Sequence, residues 1–282
     1  QDGAENILSF DDRIEEIKGK YAIHPDFEML YKIPVAKSGF QIRLVQLLYG
    51  RLPIRQKSTE QYTIFRHSMP CPSAPKGFLT VLEYMPNELK DRTGSPAVLL
   101  LHGGAFLFPA LPYHFRLAAS AAVRAGSRVF LPIYDLGPKT ILPIPIKEGY
   151  EVYINLLRTA ESCRIDPERI AVIGDSSGGT ITAAICLLAR DDGVKAPAGQ
   201  LLLYPSLDTR GNTPSMEKYP DVPVVNAEAV RAYADRFIPA QAAAGEMTDI
   251  HIATPILEVA EDGRTAKGLW LCPGEGAVVR AT

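Results

Sequence analysis

A serine between small residues is the clearest candidate nucleophile in the sequence. The motif GDSSG spans residues 174–178, after the aliphatic run 170–173 and before a helix-like stretch. A serine on a tight strand-to-helix turn needs small neighbours, because the turn is strained and adjacent elements press close. The N–H groups that begin the helix face any anion that forms there. The pattern predicts Ser176 as the nucleophile and the Ser177 N–H as an oxyanion donor, with Asp175 supporting the motif.

A glycine pair after an earlier aliphatic run could complete the same chemistry. His102-Gly103-Gly104 follows directly on residues 97–101. Consecutive glycines allow the backbone to turn its N–H groups toward one point, as an oxyanion requires. We interpret Gly103 and Gly104 as oxyanion donors. For His102 the structural interpretation, a hydrogen bond to the backbone in support of the motif, is preferred to direct proton transfer.

Alternating strand-like and helix-like stretches must position these motifs. Strands are predicted at 97–101, 128–133, 170–173, 200–204 and 268–272, with helices at 113–125, 146–160 and 177–190. Aliphatic strands separated by helices indicate an α/β protein with a parallel sheet buried on both faces. Two antiparallel strands are predicted before them, at 61–66 and 78–84. An insertion at about 208–255 interrupts the alternation and contains a helical piece near 227–237.

The N-terminal region has a different pattern and is predicted to be a helical cap. Residues 1–58 contain helix-like amphipathic stretches, and 42–49 is apolar apart from Arg43 and Gln46. Helices this apolar must cover another surface. The predicted domains are therefore a cap over 1–58 and a core over 59–282.

Composition excludes several classes of protein. The 282 residues carry a formal net charge of −2, so no basic surplus points to a nucleic-acid partner. No apolar run approaches the roughly 18 residues of a membrane helix. The four cysteines are scattered, form no CxxC pair and predict neither a metal site nor a disulfide framework. No cofactor is implied, and the lack of a signal-peptide pattern favours the cytoplasm, although the sequence begins without Met.

Taken jointly, the motifs resemble the hormone-sensitive-lipase branch of the α/β-hydrolase fold. The resemblance rests on HGGAF at 102–106, GDSSGG at 174–179, YDLGP at 134–138 and YP at 204–205. It implies a mostly parallel central sheet flanked by helices, an N-terminal helical cap and an insertion after the sixth strand. It also implies that Ser176 attacks an ester carbonyl while Gly103, Gly104 and Ser177 hold the oxyanion. The usual third glycine of the loop is Ala105 here, which keeps its N–H.

The region after the nucleophile departs from that family pattern. A serine needs a base oriented by an acid, and in this fold the acid and then the histidine follow the serine. Ala277 stands at the acid's position, and His251 is the only histidine beyond Ser176. Glu275 and His251 are the possible substitutes. The family's last strand, histidine loop and terminal helix are absent before Thr282, which would leave strand 268–272 as an exposed edge able to pair with a second copy.

Three functions remain open from the sequence. The leading hypothesis is a serine carboxylic ester hydrolase that acts on small, apolar esters through Ser176. The alternative is a degenerate hydrolase-fold protein that binds an ester or carbonyl ligand, or catalyses a non-hydrolytic reaction, without a full triad. The third is an interaction subunit that pairs through the exposed sheet edge. The retained serine and glycines favour the first hypothesis, whereas Ala277 and the absent histidine favour the second.

Overall fold

The described part of the chain covers most of the predicted core. The computed structural model describes residues 36, 38–208, 211–220, 222, 225–237, 255–259 and 266–270. The predicted cap residues 1–35 and the substitute acid and base, Glu275 and His251, lie outside these ranges, as does Ala277. No helix in the described ranges is both long and apolar enough to cross a membrane.

Helices and strands alternate along the chain in the predicted order. The helices are α1 (Gly39–Tyr49), α2 (Leu52–Arg55), α3 (Pro112–Ala125), α4 (Ile144–Arg158), α5 (Ser177–Asp191), α6 (Pro214–Lys218) and α7 (Ala227–Phe237). The strands are β1 (Tyr62–Pro70), β2 (Phe78–Pro86), β3 (Ser95–Leu101), β4 (Arg128–Ile133), β5 (Ile165–Asp175), β6 (Gly199–Leu203), β7 (Pro255–Val259) and β8 (Ala266–Trp270).

Six of the strands form one mostly parallel sheet. Their order is β1-β2-β4-β3-β5-β6. The pairs β1–β2 and β2–β4 are antiparallel, whereas β4–β3, β3–β5 and β5–β6 are parallel. The predicted fold class is confirmed. Because β3 and β5 are parallel neighbours, the loops that follow them leave the same edge of the sheet, and these loops carry the two candidate motifs.

One predicted strand belongs elsewhere. Residues 268–272 are predicted from the sequence as a strand of the parallel sheet, but Ala266–Trp270 pairs antiparallel with Pro255–Val259 in a separate two-stranded sheet. The two strands are close in sequence, so their pairing closes a much shorter loop than a crossover to β6 would. In the described ranges, the edge of the six-stranded sheet on this side is β6, where Leu201 is half exposed.

The central strand β3 packs against both layers. Alternate side chains of a strand point to opposite faces of the sheet. Leu99 and Leu101 join the larger apolar cluster, which includes residues of α4 and α5, whereas Val98 and Leu100 join the smaller one under α3. The sheet is therefore covered on both faces, as its aliphatic runs predict.

The contact between α4 and α5 depends on a glycine. A Cβ at Gly149 of α4 would overlap Cγ2 of Ile181, a fully buried residue of α5. The missing side chain brings α4 close to the helix that begins immediately after Ser176. This packing holds the first turns of α5, which follow the turn at Ser176, against the core.

We expect Gly149→Ala to destabilise the fold by about 1–3 kcal/mol, because the new methyl group overpacks the contact. Urea unfolding measures the change in the free energy of unfolding. Gly39→Ala is the matched control, since nothing lies within 4 Å of a Cβ there. The double variant Gly149→Ala with Ile181→Ala should lose less free energy of unfolding than the sum of the two single-variant losses. Full additivity would contradict the steric explanation.

Candidate active site

Ser176 lies on a strained turn between β5 and α5. Its backbone has φ 51° and ψ −120°, a region that non-glycine residues rarely occupy. Three hydrogen bonds hold it there: its N–H donates to Leu203 O (3.0 Å), and its carbonyl accepts from Thr180 N–H (3.2 Å) and Ser206 N–H (3.0 Å). Strain of this kind persists only where the surroundings over-determine the conformation. The turn leaves Ser176 half-buried, while Asp175 and Ser177 on either side are buried.

The glycines around Ser176 allow neighbouring chain segments to pack closely against the motif. A Cβ at Gly174 would collide with the backbone of Gly178, and a Cβ at Gly178 would lie 2.7 Å from the backbone carbon of His102. A Cβ at Gly179 would lie 2.7 Å from Cβ of Pro205. The GDSSGG motif therefore packs between the loop after β3 and the segment after β6, as the sequence argument for small residues expects.

The first glycine of the loop after β3 is tied to the nucleophile turn. Gly103 N–H donates to Oδ1 of Asp175 at 2.9 Å, and Gly103 is buried. This N–H is engaged by a charged acceptor, so the expectation that Gly103 supplies an oxyanion donor is corrected. The sequence shows which residues can turn their N–H groups freely, but it does not show which N–H is already engaged.

The next two residues present their N–H groups differently. Gly104 O accepts hydrogen bonds from Leu107 N–H (2.9 Å) and Phe108 N–H (2.7 Å), which close a tight turn. Gly104 has φ 129°, and Ala105 has the positive φ of 51°. Both residues are half-buried, and the described residues place no acceptor on either N–H. Gly104 and Ala105 are thus the available donors of this loop.

His102 has the structural role that the sequence analysis preferred. Its Nδ1 lies 2.7 Å from Gly103 O, and because a carbonyl only accepts, the proton is assigned to Nδ1. The ring is fully buried and stacks on Tyr134 with 4.2 Å between ring centroids. Burial, reinforced by nearby His114, lowers the pKa of His102 to about 3. His102 therefore remains neutral near pH 7.

Two neighbours at the start of α3 complete the site, and neither is predicted from the sequence. Tyr113 OH donates to Oδ2 of Asp175 at 2.9 Å, and Nε2 of His114 lies 3.2 Å from the same oxygen. Nδ1 of His114 accepts from Leu111 N–H at 2.8 Å, so the Nε2 proton faces Asp175. The signal available in the sequence was a histidine in the first turn of a helix soon after a glycine-rich loop.

Asp175 is a buried carboxylate stabilised by the donors around it. Its side chain is 1% exposed, and burial by itself raises its pKa. Hydrogen bonds from His114, Tyr113 and Gly103 outweigh burial and hold the pKa of Asp175 below its usual value. Asp175 is therefore ionised near pH 7 and joins the two motifs electrostatically.

The described residues supply no base for Ser176. None of them makes a hydrogen bond with Ser176 Oγ. The described histidines are engaged elsewhere: His102 with Gly103 O, His114 with Asp175, and His67 with Glu83 at 2.7 Å. Of the remaining histidines, His251 alone follows Ser176 in the sequence.

Comparison with known proteins agrees with this geometry. The sequence pattern of the alpha/beta hydrolase fold family matches residues 98–272, more than half of the chain. The chain belongs to the α/β-hydrolase fold family. Both motifs and all the parallel strands of the central sheet lie within or overlap the matched range.

Esterases are prominent among the relatives of this hydrolase-fold chain. It is 33% identical over 159 residues to esterase LipI of Mycobacterium tuberculosis, covering 56% of this chain and 50% of LipI. It is 32% identical over 142 residues to an ethyl acetate hydrolase of Pseudomonas putida, covering 50% of this chain and 45% of that protein. The chain thus spans about half the length of these curated relatives.

A solved structure resembles the fold over a larger share of the chain. A bacterial heroin esterase superposes with a TM-score of 0.67 at 26% identity, covering 77% of this hydrolase-fold chain and 69% of the esterase chain. The metagenomic carboxylesterase EstE1 superposes with a TM-score of 0.61 at 25% identity, covering 72% and 69%. The similarity therefore extends beyond the sequence motifs to the architecture of the core.

We expect Asp175→Asn to lower the free energy of unfolding by ~2–3 kcal/mol near pH 7, because three donors face a carboxylate that an amide replaces poorly. The folded pKa of Asp175 is depressed. The stabilisation that ionised Asp175 gives to the folded state is therefore present above the pKa of about 3.9 that an aspartate has in the unfolded chain. It is lost as pH falls through the lower pKa of Asp175 in the folded state.

Urea unfolding of both proteins between about pH 3 and pH 7 tests this linkage. The gap in stability should narrow toward the acid end. Exposed Asp191, paired with Arg190, provides the control variant Asp191→Asn, for which we expect little change. A gap between wild type and Asp175→Asn that stays constant with pH would contradict the assigned charge of Asp175.

Proposed function

We propose that the protein is a serine carboxylic ester hydrolase that acts on small, apolar esters. The observation that carries this proposal is the arrangement around Ser176. A strained, half-buried serine lies between the start of α5 and a loop whose Gly104 and Ala105 N–H groups have no acceptor in the described ranges. The esterase relatives support the same reaction class.

In the proposed reaction, Ser176 Oγ attacks the ester carbonyl carbon while a base removes its proton. The carbonyl oxygen becomes an oxyanion, and the N–H groups of Gly104, Ala105 and Ser177 stabilise it. Collapse of the intermediate breaks the bond to the alcohol, which leaves with the proton, and an acyl-enzyme remains on Ser176. Water then attacks the acyl group in the same way and releases the carboxylic acid.

The proposed donors differ from the sequence hypothesis in one residue. Ala105 replaces Gly103, since the N–H of Gly103 already donates to Asp175. Donors aimed at a developing oxyanion are each worth roughly 10²–10³-fold in rate. The α5 N-terminus adds a favourable dipole at the same point. Asp175, which binds no reacting atom in this proposal, holds the loop and the turn together.

For the base and acid we propose His251 and Glu275. Both lie outside the described ranges, and both follow Ser176, with the histidine before the acid, the reverse of the order usual in this fold. The support for them is chemical: His251 is the only imidazole after Ser176, and each described imidazole has another partner.

We expect this chain to hydrolyse p-nitrophenyl butyrate, and Ser176→Ala to reduce kcat/KM by roughly 10³-fold or more, because the acyl-enzyme cannot form. Release of p-nitrophenolate measures the rate. Ser120→Ala, an exposed serine on α3, is the matched control and should retain the wild-type rate. His251→Asn should match the loss in Ser176→Ala if His251 is the base.

A ligand-binding role is the second candidate, and the lack of any described hydrogen bond at Ser176 Oγ favours it. Equal rates for wild type and Ser176→Ala would overturn the esterase proposal and leave this candidate. Calorimetric titration with a short aryl ketone would then test whether the loop holds a carbonyl group. Gly104→Ala should abolish such binding, because a Cβ at this position would collide with the Phe108 carbonyl oxygen.

A further inference from the structure

Gln46 is a polar residue in the apolar sequence of α1. The helix begins after Ser38, whose side chain accepts from Gln41 N–H (3.2 Å), while Oε1 of Gln41 accepts from Ser38 N–H (3.0 Å). Ile42 is fully buried in the larger apolar cluster. Gln46 is four residues later and therefore lies on the same face of the helix. This face of α1 is directed toward the core.

One side-chain amide of Gln46 contacts two different loops. Its Nε2 donates to Leu107 O and to Gly137 O, each at 2.7 Å. Both partners are carbonyl oxygens, which only accept, so the NH₂ end of the amide must face them. The loops are also joined to each other, because Gly137 N–H donates to Phe106 O at 2.8 Å. Gln46 thus completes a junction between α1, the loop after β3 and the loop after β4.

The junction lies at the turn that presents the candidate oxyanion donors. Leu107 N–H donates to Gly104 O, and its carbonyl is the one that Gln46 holds. Ala105 and Phe106 in the same turn have positive φ values of 51° and 56°. A left-handed conformation in two successive non-glycine residues is unfavourable and needs external support. The bonds through Leu107 and Gly137 supply part of that support.

The loop after β4 is held from its other side. Asp135 N–H donates to Oε2 of Glu148 at 2.9 Å, and the Glu148 side chain is fully buried. Burial raises the pKa of Glu148 to about 8. Gln46 and Glu148 therefore restrain the loop at two points, one from α1 and one from α4.

We propose that Gln46 is a positioning residue that couples α1 to the oxyanion loop, so that movement of α1 changes the presentation of the Gly104 and Ala105 N–H groups. The catalytic consequence rests on the proposed ester hydrolysis, whereas the mechanical coupling does not. Glutamine is suited to this position because its NH₂ group offers two donors. Glutamate and methionine have similar lengths, but neither has a donor.

The variants are chosen to separate loss of the donors from loss of the helix. Gln46→Glu keeps the shape but turns a carboxylate toward two carbonyl oxygens, and Gln46→Met keeps the length without charge. Arg43→Gln is the matched control on α1. Arg43 is exposed on the same helix, and glutamine has a similar helix propensity.

Amide hydrogen exchange of the full chain, followed by mass spectrometry, is the direct test. In Gln46→Glu and Gln46→Met, we expect the amides of Leu107, Phe108 and Gly137 to exchange about tenfold faster than in wild type. The loss of one or two net hydrogen bonds is large enough to produce this change. In both Gln46 variants the amides of β3 should exchange within about twofold of the wild-type rate, and in Arg43→Gln all amides should do so. Unchanged loop exchange, or equal acceleration throughout the sheet, would overturn the coupling.

Ester hydrolysis supplies an independent readout. Because the loop N–H groups act on the developing oxyanion, both Gln46 variants should lower kcat about tenfold with little change in KM. An active wild type whose Gln46 variants keep full kcat despite a loosened loop would overturn the positioning role. Inactive wild type would instead refute the proposed function, and the exchange result would still decide the coupling.

Discussion

The hydrogen bond from Gly103 N–H to the Asp175 carboxylate is the contact on which the rest of the site depends. It joins the loop after β3 to the end of β5, and these strands are parallel neighbours whose loops leave the same edge of the sheet. A charged acceptor strengthens the bond, and burial removes competing water. Burial also makes an unpaired carboxylate costly, so Asp175 requires the donors that Tyr113 and His114 bring from α3.

The same contact explains why backbone strain can persist on both sides of it. Ser176 and Ala105 each have φ 51°, a conformation that costs of order 1–3 kcal/mol per residue. The turn at Ser176 is held by Leu203 O and Ser206 N–H from the segment around the end of β6. The loop is held by its own hydrogen bonds to Gly104 O. The site is therefore kept in shape by packed neighbours on three sides, as a preorganised arrangement of donors requires.

The two described histidines of this region, His102 and His114, both have structural roles. His102 is neutral because it is buried and lies close to His114, and its Nδ1 proton binds the backbone. Nε2 of His114 faces the Asp175 carboxylate, and its Nδ1 accepts from Leu111 N–H. Both imidazoles have other partners, so neither is available to Ser176 Oγ. The two described imidazoles near the site thus support its structure.

The sequence by itself determined the fold class and both motif-bearing loops, because aliphatic runs, helical periodicity and glycine spacing act over short distances. Strands β1 to β6 and helices α3, α4, α5 and α7 were predictable in this way, and so was the position of Ser176 on the turn between β5 and α5. Only the tertiary structure decided which N–H groups are free, since Gly103 bonds with a residue 72 positions away. It also decided that Gln46 and Tyr113 reach the site and that Ala266–Trp270 pairs with Pro255–Val259. These features depend on which chain segments meet after folding, and no local pattern of residues records that outcome.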